Sequence, residues 1–544
     1  MRLDYVSRTL RLPENISERT IPALLRRAVR ESPDKIAIVA ESSYGDMGEV
    51  TYAQMLDRAT RLAAFLADRG VSKGDRVGIL FDGHGAAEAH LTFHAAHELG
   101  AIGVPFNSRY VVRELDYVVR ASNARVLVFD SRFAANVQEI ASSTGEAILI
   151  EAGPSTGTGI DLRAALVIGG GLPLAETPLA EGDDADWIFT SGTTGRPKAV
   201  AISHVASVAC GYQATKAWGI DSDSVYQSPA PFFTSTGYHT NLLGCLTAGC
   251  TYIVEPEFDV HLTLERIAKY RTTSVFLVSS MIALMFARLS SEELRSADLS
   301  SLRRLCYGAQ SMPSSFYRSI EEFFATRDSL ELVLIYGLTE AGPTGLLVPP
   351  ERHAEALART GAYGAPIGTQ GFNDWISWRV AGVDGESVAV DEVGELLLQT
   401  PSLMSRYVDD AEATCAKTAH GWLHTGDMAV VDAEGFIYFV DRSSHSIRRG
   451  GLNVSSVEVE SVIGDHSGVA QVAVVGREDS VLGQEIEAFV VRVEGVSVTA
   501  EELGQWCRER LADFKVPRRF EFLDELPRNA MNRVVKTRLI NDAD

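Results

Sequence analysis

Strand-like and helix-like segments alternate through the first half of this chain at a spacing that leaves little choice of architecture. Ile36-Ala-Ile-Val-Ala40 is an unbroken apolar run, the pattern of a strand buried on both faces. Thr51 then opens a helix with Gln54 in capping-box position. Met55, Ala59, Leu62, Ala63 and Leu66 share one face of it, and Gly70 ends it. A strand over 77–81, a helix over 86–99 and strands over 102–105 and 125–129 follow. This order predicts an α/β fold with parallel sheets covered by helices. The stretch 151–186 reads as the loosest region, with Gly153-Pro-Ser-Thr-Gly-Thr-Gly and Gly169-Gly-Gly as surface connections. Past Asp441 the register changes. Short strands over 469–475 and 485–493 alternate with helices over 457–462 and 500–511, which predicts a small α+β domain. The run Asp441-Arg-Ser-Ser-His445 between the two parts reads as a hinge, so the expected organisation is one body over 1–441 and a second over 442–544.

Composition narrows the partners. The 544 residues carry 72 acidic and 50 basic side chains, a net charge of −22, and no Lys/Arg-rich run offsets it. Such a surface repels nucleic acid and anionic membranes, while a few local donors still suffice for a nucleotide. Six cysteines show neither a CxxC pair nor a zinc spacing, which fits a reducing compartment. The first residues have no apolar signal core, and the most apolar stretch, 276–287, is too short to span a bilayer. A cytoplasmic protein is expected.

The chemistry concentrates after the apolar strand Trp187-Ile-Phe189. Thr190-Ser191-Gly192-Thr193-Thr194-Gly195 packs two glycines and four hydroxyls into six residues, and Lys198 adds a cation three residues later. Closely spaced backbone N–H and O–H donors beside an ammonium suit phosphates. The glycine-to-lysine spacing is not that of a Walker A loop. Further segments follow in order: Tyr336-Gly-Leu-Thr-Glu340, Gly394-Glu-Leu, Trp422-Leu-His-Thr-Gly-Asp427, Asp441-Arg442, Ile447-Arg-Arg-Gly450-Gly451-Leu-Asn453, Phe514-Lys515-Val-Pro517 and Leu526-Pro-Arg-Asn-Ala-Met-Asn-Arg533. As an ordered set they resemble the motifs of the adenylate-forming superfamily, which includes acyl-CoA synthetases, peptide-synthetase adenylation domains and luciferases. The resemblance covers roughly residues 20–540.

The resemblance implies a large N-terminal body of stacked, doubly wound α/β subdomains with a small β-rich subdomain, and a mobile C-terminal lid. It also implies a reaction in two halves. A carboxylate attacks the α-phosphate of MgATP to give acyl-AMP and pyrophosphate; the thiol of CoA then displaces AMP with the lid in a second pose. Carried over position by position, the nucleotide site comprises Thr190 to Gly195, Lys198, Gly308, Ala309, Gln310, Tyr336, Gly337, Thr339, Asp427 and Arg442. Within it Tyr336 faces adenine, Asp427 holds the ribose hydroxyls, Thr339 donates to the α-phosphate, Arg442 reaches ribose or phosphate, and Glu340 offers a hard oxygen to Mg²⁺. Phe233, Thr234, Gly237, His239 and Gly308 fall at the acyl pocket, Gly450 and Gly451 at the CoA channel, Ser444 at the hinge, and Lys515 where a base approaches the adenylate.

The chain departs from the pattern in places. Arg533 stands where the family carries a lysine that bridges carboxylate and α-phosphate, and a planar guanidinium is a poor copy of a compact ammonium. Lys536 lies three residues on, where family members often have a second base. Either the chain is specialised for forming the thioester from acyl-AMP, with a separate enzyme supplying the adenylate, or Arg533 does the lysine's work in a complete ATP-dependent synthetase. A carrier-protein thiol as acceptor and a non-catalytic scaffold are further readings. Thr234 replaces an aromatic or histidine gate; with Gly237, Gly308 and Ala309 also small, the expectation is a roomy pocket for a bulky hydrophobic acid. Ala199 replaces a glycine after Lys198. His90, His94 and His97 at helical spacing are read as a surface or packed helix face rather than a metal site.

Overall fold

The computed structural model describes residues 4–5, 11–14, 16–45, 47–190, 197–309, 312, 314–324, 329–360, 363–369, 375–442, 447–449, 452–479, 483–511, 513–528 and 534–541. Helix Tyr52–Asp68 shows how the local signals are realised. The Gln54 amide donates to Thr51 Oγ1 at 3.2 Å and the Thr51 amide to Gln54 Oε1 at 3.1 Å, closing the capping box. All five residues of the expected apolar face are buried. At the far end Gly70 takes φ +79°, its N–H donates to Ala67 and that of Val71 to Leu66, a Schellman closure that needs the left-handed residue.

Two eight-stranded sheets form the body. In one, strands Ile102–Pro105, Arg76–Leu80, Val126–Asp130 and Ile148–Ala152 run parallel, and Asp184–Thr190 joins them beside Ile102–Pro105. In the other, Ile36–Glu41, Thr251–Val254, Val225–Ser228, Ser274–Val278, Arg304–Gly308 and Glu331–Leu338 run parallel. Helix Ala86–Glu98 contacts strands of both sheets, and it and helix His204–Trp218 are buried on nearly every face. Small residues such as Ala95-Ala96 and Ala206-Ser207-Val208-Ala209 let these helices be covered on most sides, and the polar side chains they also bury, Glu88 and His97 among them, take hydrogen-bond partners. A six-stranded antiparallel sheet, including Leu423–Val431 and Phe436–Arg442, completes the body.

The stretch read as loose contains more structure than expected. Asp161 caps helix Leu162–Gly169 by accepting from the Ala164 amide at 2.8 Å. A Cβ on Gly169 would lie 1.9 Å from the Arg61 carbonyl oxygen, so this glycine lets two helices touch and is not a surface connection. Its glycine-rich surroundings hide the helix from a composition reading.

Beyond the body, strands Val469–Asp479 and Gly483–Arg492 pair antiparallel, Arg519–Phe522 runs parallel to the latter, and helices Ser456–Gly464 and Ala500–Arg508 pack on them. The two parts meet at Asp441, whose buried carboxylate accepts from the Ser456 amide at 2.8 Å and its hydroxyl at 2.9 Å. The apolar stretch 276–287 divides between strand Ser274–Val278 and helix Ser279–Arg288. Among the described residues no helix is long and apolar enough to cross a membrane.

Candidate active site

Strands Asp184–Thr190 and Lys198–Ser203 are antiparallel neighbours with Thr190 directly opposite Lys198, and Thr190 Oγ1 donates to the Lys198 carbonyl at 3.4 Å. These two strands flank the hydroxyl-rich loop; Ser191, Gly192, Thr193, Thr194 and Gly195 themselves lie outside the described residues. Ala199 pairs with Phe189 inside this ladder and is buried. Lys198 Nζ reaches Asp410 Oδ2 at 2.8 Å and lies 5.5 Å from the centre of the Tyr407 ring. Asp410 also caps helix Ala411–Lys417 through the Ala413 amide; the lysine, then the cap, hold its carboxyl below the usual range. Tyr407 turns its hydroxyl the other way, donating to Glu340 Oε1 at 2.8 Å. Burial, then the Glu340 charge, push that phenol well above its ordinary value.

Glu340 follows strand Glu331–Leu338 in a single tight turn that also carries Thr339. At that strand's end the Tyr336 hydroxyl donates to Asp427 Oδ2 at 2.6 Å, and Asp427 is 3% exposed. Short O–H to carboxylate contacts of this kind are among the stronger hydrogen bonds. A diol seeking both carboxylate oxygens would share Oδ2 with the tyrosine hydroxyl, since each carboxylate oxygen accepts two hydrogen bonds. Asp427 sits opposite Arg442 across an antiparallel pair; the Arg442 side chain lies outside the described residues. The structure thus brings Tyr336, just before Thr339 and Glu340 at the end of strand Glu331–Leu338, against Asp427 in the middle of strand Leu423–Val431, and links Glu340 to Lys198 through Tyr407.

The acyl-pocket expectation needs correction in its reasoning. A Cβ on Gly237 would lie 2.2 Å from the Pro231 carbonyl oxygen, and one on Gly308 only 2.0 Å from that of Ile335. Both glycines make room for backbone rather than for an acid. Gly337 likewise admits Pro343, whose carbonyl oxygen would be 2.0 Å from an added Cβ. Thr234 is a local cap: its hydroxyl donates to Pro231 at 2.8 Å and accepts from the Gly237 amide at 2.9 Å. Phe233 is buried beside it, and His239 is fully buried with both ring nitrogens within reach of protein groups. Ala309 takes φ +75°, a strained conformation for a residue with a Cβ, at the strand end next to Gly308. Gln310 lies outside the described residues.

In the C-terminal part, Lys515 Nζ contacts both oxygens of Glu458, at 2.7 and 2.8 Å. Lys536 Nζ contacts Glu460 Oε1 at 2.7 Å and Ser456 Oγ at 2.6 Å. Arg533, Ser444, Gly450 and Gly451 lie outside the described residues. The sequence reading missed Tyr407 and Asp410. Asp410 carries a local cap signal three residues before Ala413, but nothing local marks Tyr407 as the partner of Glu340.

Among the described residues no three His, Cys, Asp or Glu side chains converge as a metal cage. A lone carboxylate such as Glu340 fits Mg²⁺ that fills the rest of its shell with phosphate oxygens and water. When bound there, the ion supplies charge neutralisation to the phosphates.

Two α/β sheets clasping buried helices, Glu340 in the turn after one of their strands, Asp427 on the antiparallel sheet beside it and a small C-terminal α+β domain place this chain among the adenylate-forming enzymes. Residues 25–408 match the AMP-binding enzyme family and residues 458–532 match the AMP-binding enzyme C-terminal domain. The chain belongs to the AMP-binding enzyme family, and within it is of the acyl-CoA synthetase/ligase type. It is 31% identical over 488 residues to an indoleacetate–CoA ligase of Aromatoleum aromaticum, covering 90% of this chain and 92% of that one. It is 33% identical over 536 residues to a methyl-dioxo-octahydroindenyl-propanoyl:CoA ligase of Mycobacterium tuberculosis, covering 96% and 98%. The fold is shared with an anthranilate CoA ligase solved with anthranoyl-AMP, at TM-score 0.83 and 23% identity over 96% of this chain and 97% of that chain.

Proposed function

We propose that this chain joins a bulky hydrophobic carboxylic acid to CoA, and that acyl-AMP + CoA → acyl-CoA + AMP is the half-reaction it performs best. The observation that carries the second part is the commitment of Lys536. Its ammonium is held by Glu460 and Ser456 at 2.7 and 2.6 Å, so it too would have to give up its partners before it could stand in for the lysine that Arg533 replaces. Adenylation then rests on a guanidinium at the point where negative charge builds between carboxylate and α-phosphate. Losing one well-placed electrostatic contact of that kind costs about 10²–10³ in rate. Thioester formation starts from an acid already activated and asks less of this position. Lys515 reaches an adenylate only by exchanging its Glu458 partner, a trade that suits a domain with two poses, divided from the body at 441/442. Indoleacetate and the indenyl propanoate named for the relatives support a bulky apolar acid; the glycines no longer do.

A complete ATP-dependent synthetase is the second reading. What favours it is the intact linkage Lys198–Tyr407–Glu340, groups suited to the phosphates and Mg²⁺ that only ATP brings. Two parallel reactions separate the readings. One contains free acids (indoleacetate, anthranilate and the indenyl propanoate) with MgATP and CoA; the other contains their acyl-adenylates with CoA, and acyl-CoA is read by mass spectrometry. Product forming about 10²-fold faster in the adenylate arm is expected. Comparable rates in both arms would make this a complete synthetase.

A further inference from the structure

Asp186 lies on strand Asp184–Thr190, four residues before the hydroxyl-rich loop, and is fully buried. Its carboxylate is gripped from two sides. His97 Nε2, on helix Ala86–Glu98, lies 3.0 Å from Oδ1, and His239 Nε2 lies 3.2 Å from Oδ2, where Ser207 Oγ also sits at 3.5 Å. The room for it is made by Gly103 on the adjacent strand, where a Cβ would lie 2.8 Å from Oδ1. His239 belongs to a π-helical turn, Thr236–Leu242, and its Nδ1 lies 3.0 Å from Ser235 Oγ. Tyr238 of the same turn reaches His97 Nδ1 at 3.3 Å and stacks on Phe93 at 3.8 Å between ring centres. π-turns inside helices recur at functional sites because they aim side chains that an α-helix would misplace.

Burial by itself would raise Asp186, but the His97 charge and the hydrogen bonds and charges of both imidazoles outweigh it and hold the carboxyl down to about 2. The other titratable neighbours do not compete. His94 and His204 face the same compartment from two helices, and burial lowers each to about 3, so both are neutral rings at ordinary pH. Beyond His204 stand Asp183 and Lys73, paired with each other at 2.6 Å.

We propose that Asp186 is a positioning residue for the acid site: through His97 and His239 it clamps the segment Phe233–Leu242 to the strand that leads into the hydroxyl-rich loop. The carboxyl of the substrate and the phosphates of the nucleotide must meet at fixed separation, and this bridge fixes the two protein segments that border them. The inference rests on the reading that Phe233 and Thr234 border the acid.

Asp186→Asn keeps the size of the side chain but replaces one acceptor by a donor, so one imidazole loses its partner. Hydrogen–deuterium exchange and steady-state kinetics with indoleacetate, MgATP and CoA test the proposal. Exchange in the peptide covering 231–242 should speed up by about tenfold while helix Tyr52–Asp68 is unchanged. KM for the acid should rise about tenfold, with KM for ATP within about twofold. His239→Gln, which keeps one N–H donor, should move both readouts the same way by less and serves if Asp186→Asn does not fold. Unchanged exchange over 231–242, or acid and ATP KM values rising together, would overturn the proposal. A wild-type enzyme inert toward every acid and adenylate would sink the proposed activity instead, while the exchange result still decides the clamp.

Discussion

Tyr407 joins the two ends of the candidate nucleotide site, its ring under the Lys198 ammonium and its hydroxyl on Glu340. A hydroxyl that fixes a ligating carboxylate orients it, and loss of such a partner typically costs about 10–100-fold. Tyr407→Phe keeps the ring and removes only the donor. ATP-dependent acyl-CoA formation should fall by about tenfold, with turnover of acyl-AMP and CoA unchanged within about twofold, because the carboxylate serves only the ATP half. Equal losses in both assays would assign Tyr407 to the fold alone. Asp410 acts with the opposite sign. It holds Lys198 at 2.8 Å, so a phosphate competes with it for the ammonium. Asp410→Asn keeps an oxygen for the Ala413 cap and drops the charge; KM for ATP should fall, by about fivefold at most for so exposed a pair. A rise in KM would mean that Asp410 aims the lysine.

Helix Ala86–Glu98 shows both the reach and the limit of reading elements from sequence. Its span was legible from small and apolar residues, but the sequence left its three histidines as a surface or a packed face; His90, His94 and His97 are all buried. What composition could not give is that His97 meets an aspartate 89 positions away, because no local period encodes a contact between a helix and a distant strand. The same limit explains Gly237 and Gly308, where small size was legible but not what occupies the space. Burial of the rings carries a pH consequence. It lowers His90 to about 4, and His94 and His204 to about 3 each, against about 6.5 in the unfolded chain. The unfolded state therefore takes up protons, as pH falls below about 6.5, that the folded state refuses. The stabilisation is fully present above that value and is lost progressively down to the folded values, at about 1.4 kcal/mol per pH unit for each ring. The urea midpoint should drop steeply from pH 7.5 to 5.5, well above the carboxylate range. A flat profile over that interval would show that the rings are charged inside the fold.

At the scale of the molecule, the two parts are joined by Asp441 and the first turn of helix Ser456–Gly464, and everything proposed for the reaction depends on what the C-terminal part delivers to the body. The family was legible because its motifs occur in order along the chain, an observation that needs no folding. Pairings such as Lys198–Asp410 were not, since 212 positions separate the partners and only the sheet brings them together. Arg533 lies between these cases: its identity is plain in the sequence, and its effect depends on how the whole C-terminal part meets the acid. Arg533→Lys puts a compact ammonium at that position in place of the guanidinium. Acid-dependent exchange of pyrophosphate into ATP should rise by about 10²-fold in this variant, while acyl-AMP turnover with CoA stays within about twofold. The paired result matters more than either half. A gain confined to exchange assigns the deficit to the guanidinium. A gain in both assays points to altered docking of the C-terminal part, and no gain moves the cause to the other departures in the sequence, Ala199 and Ser444.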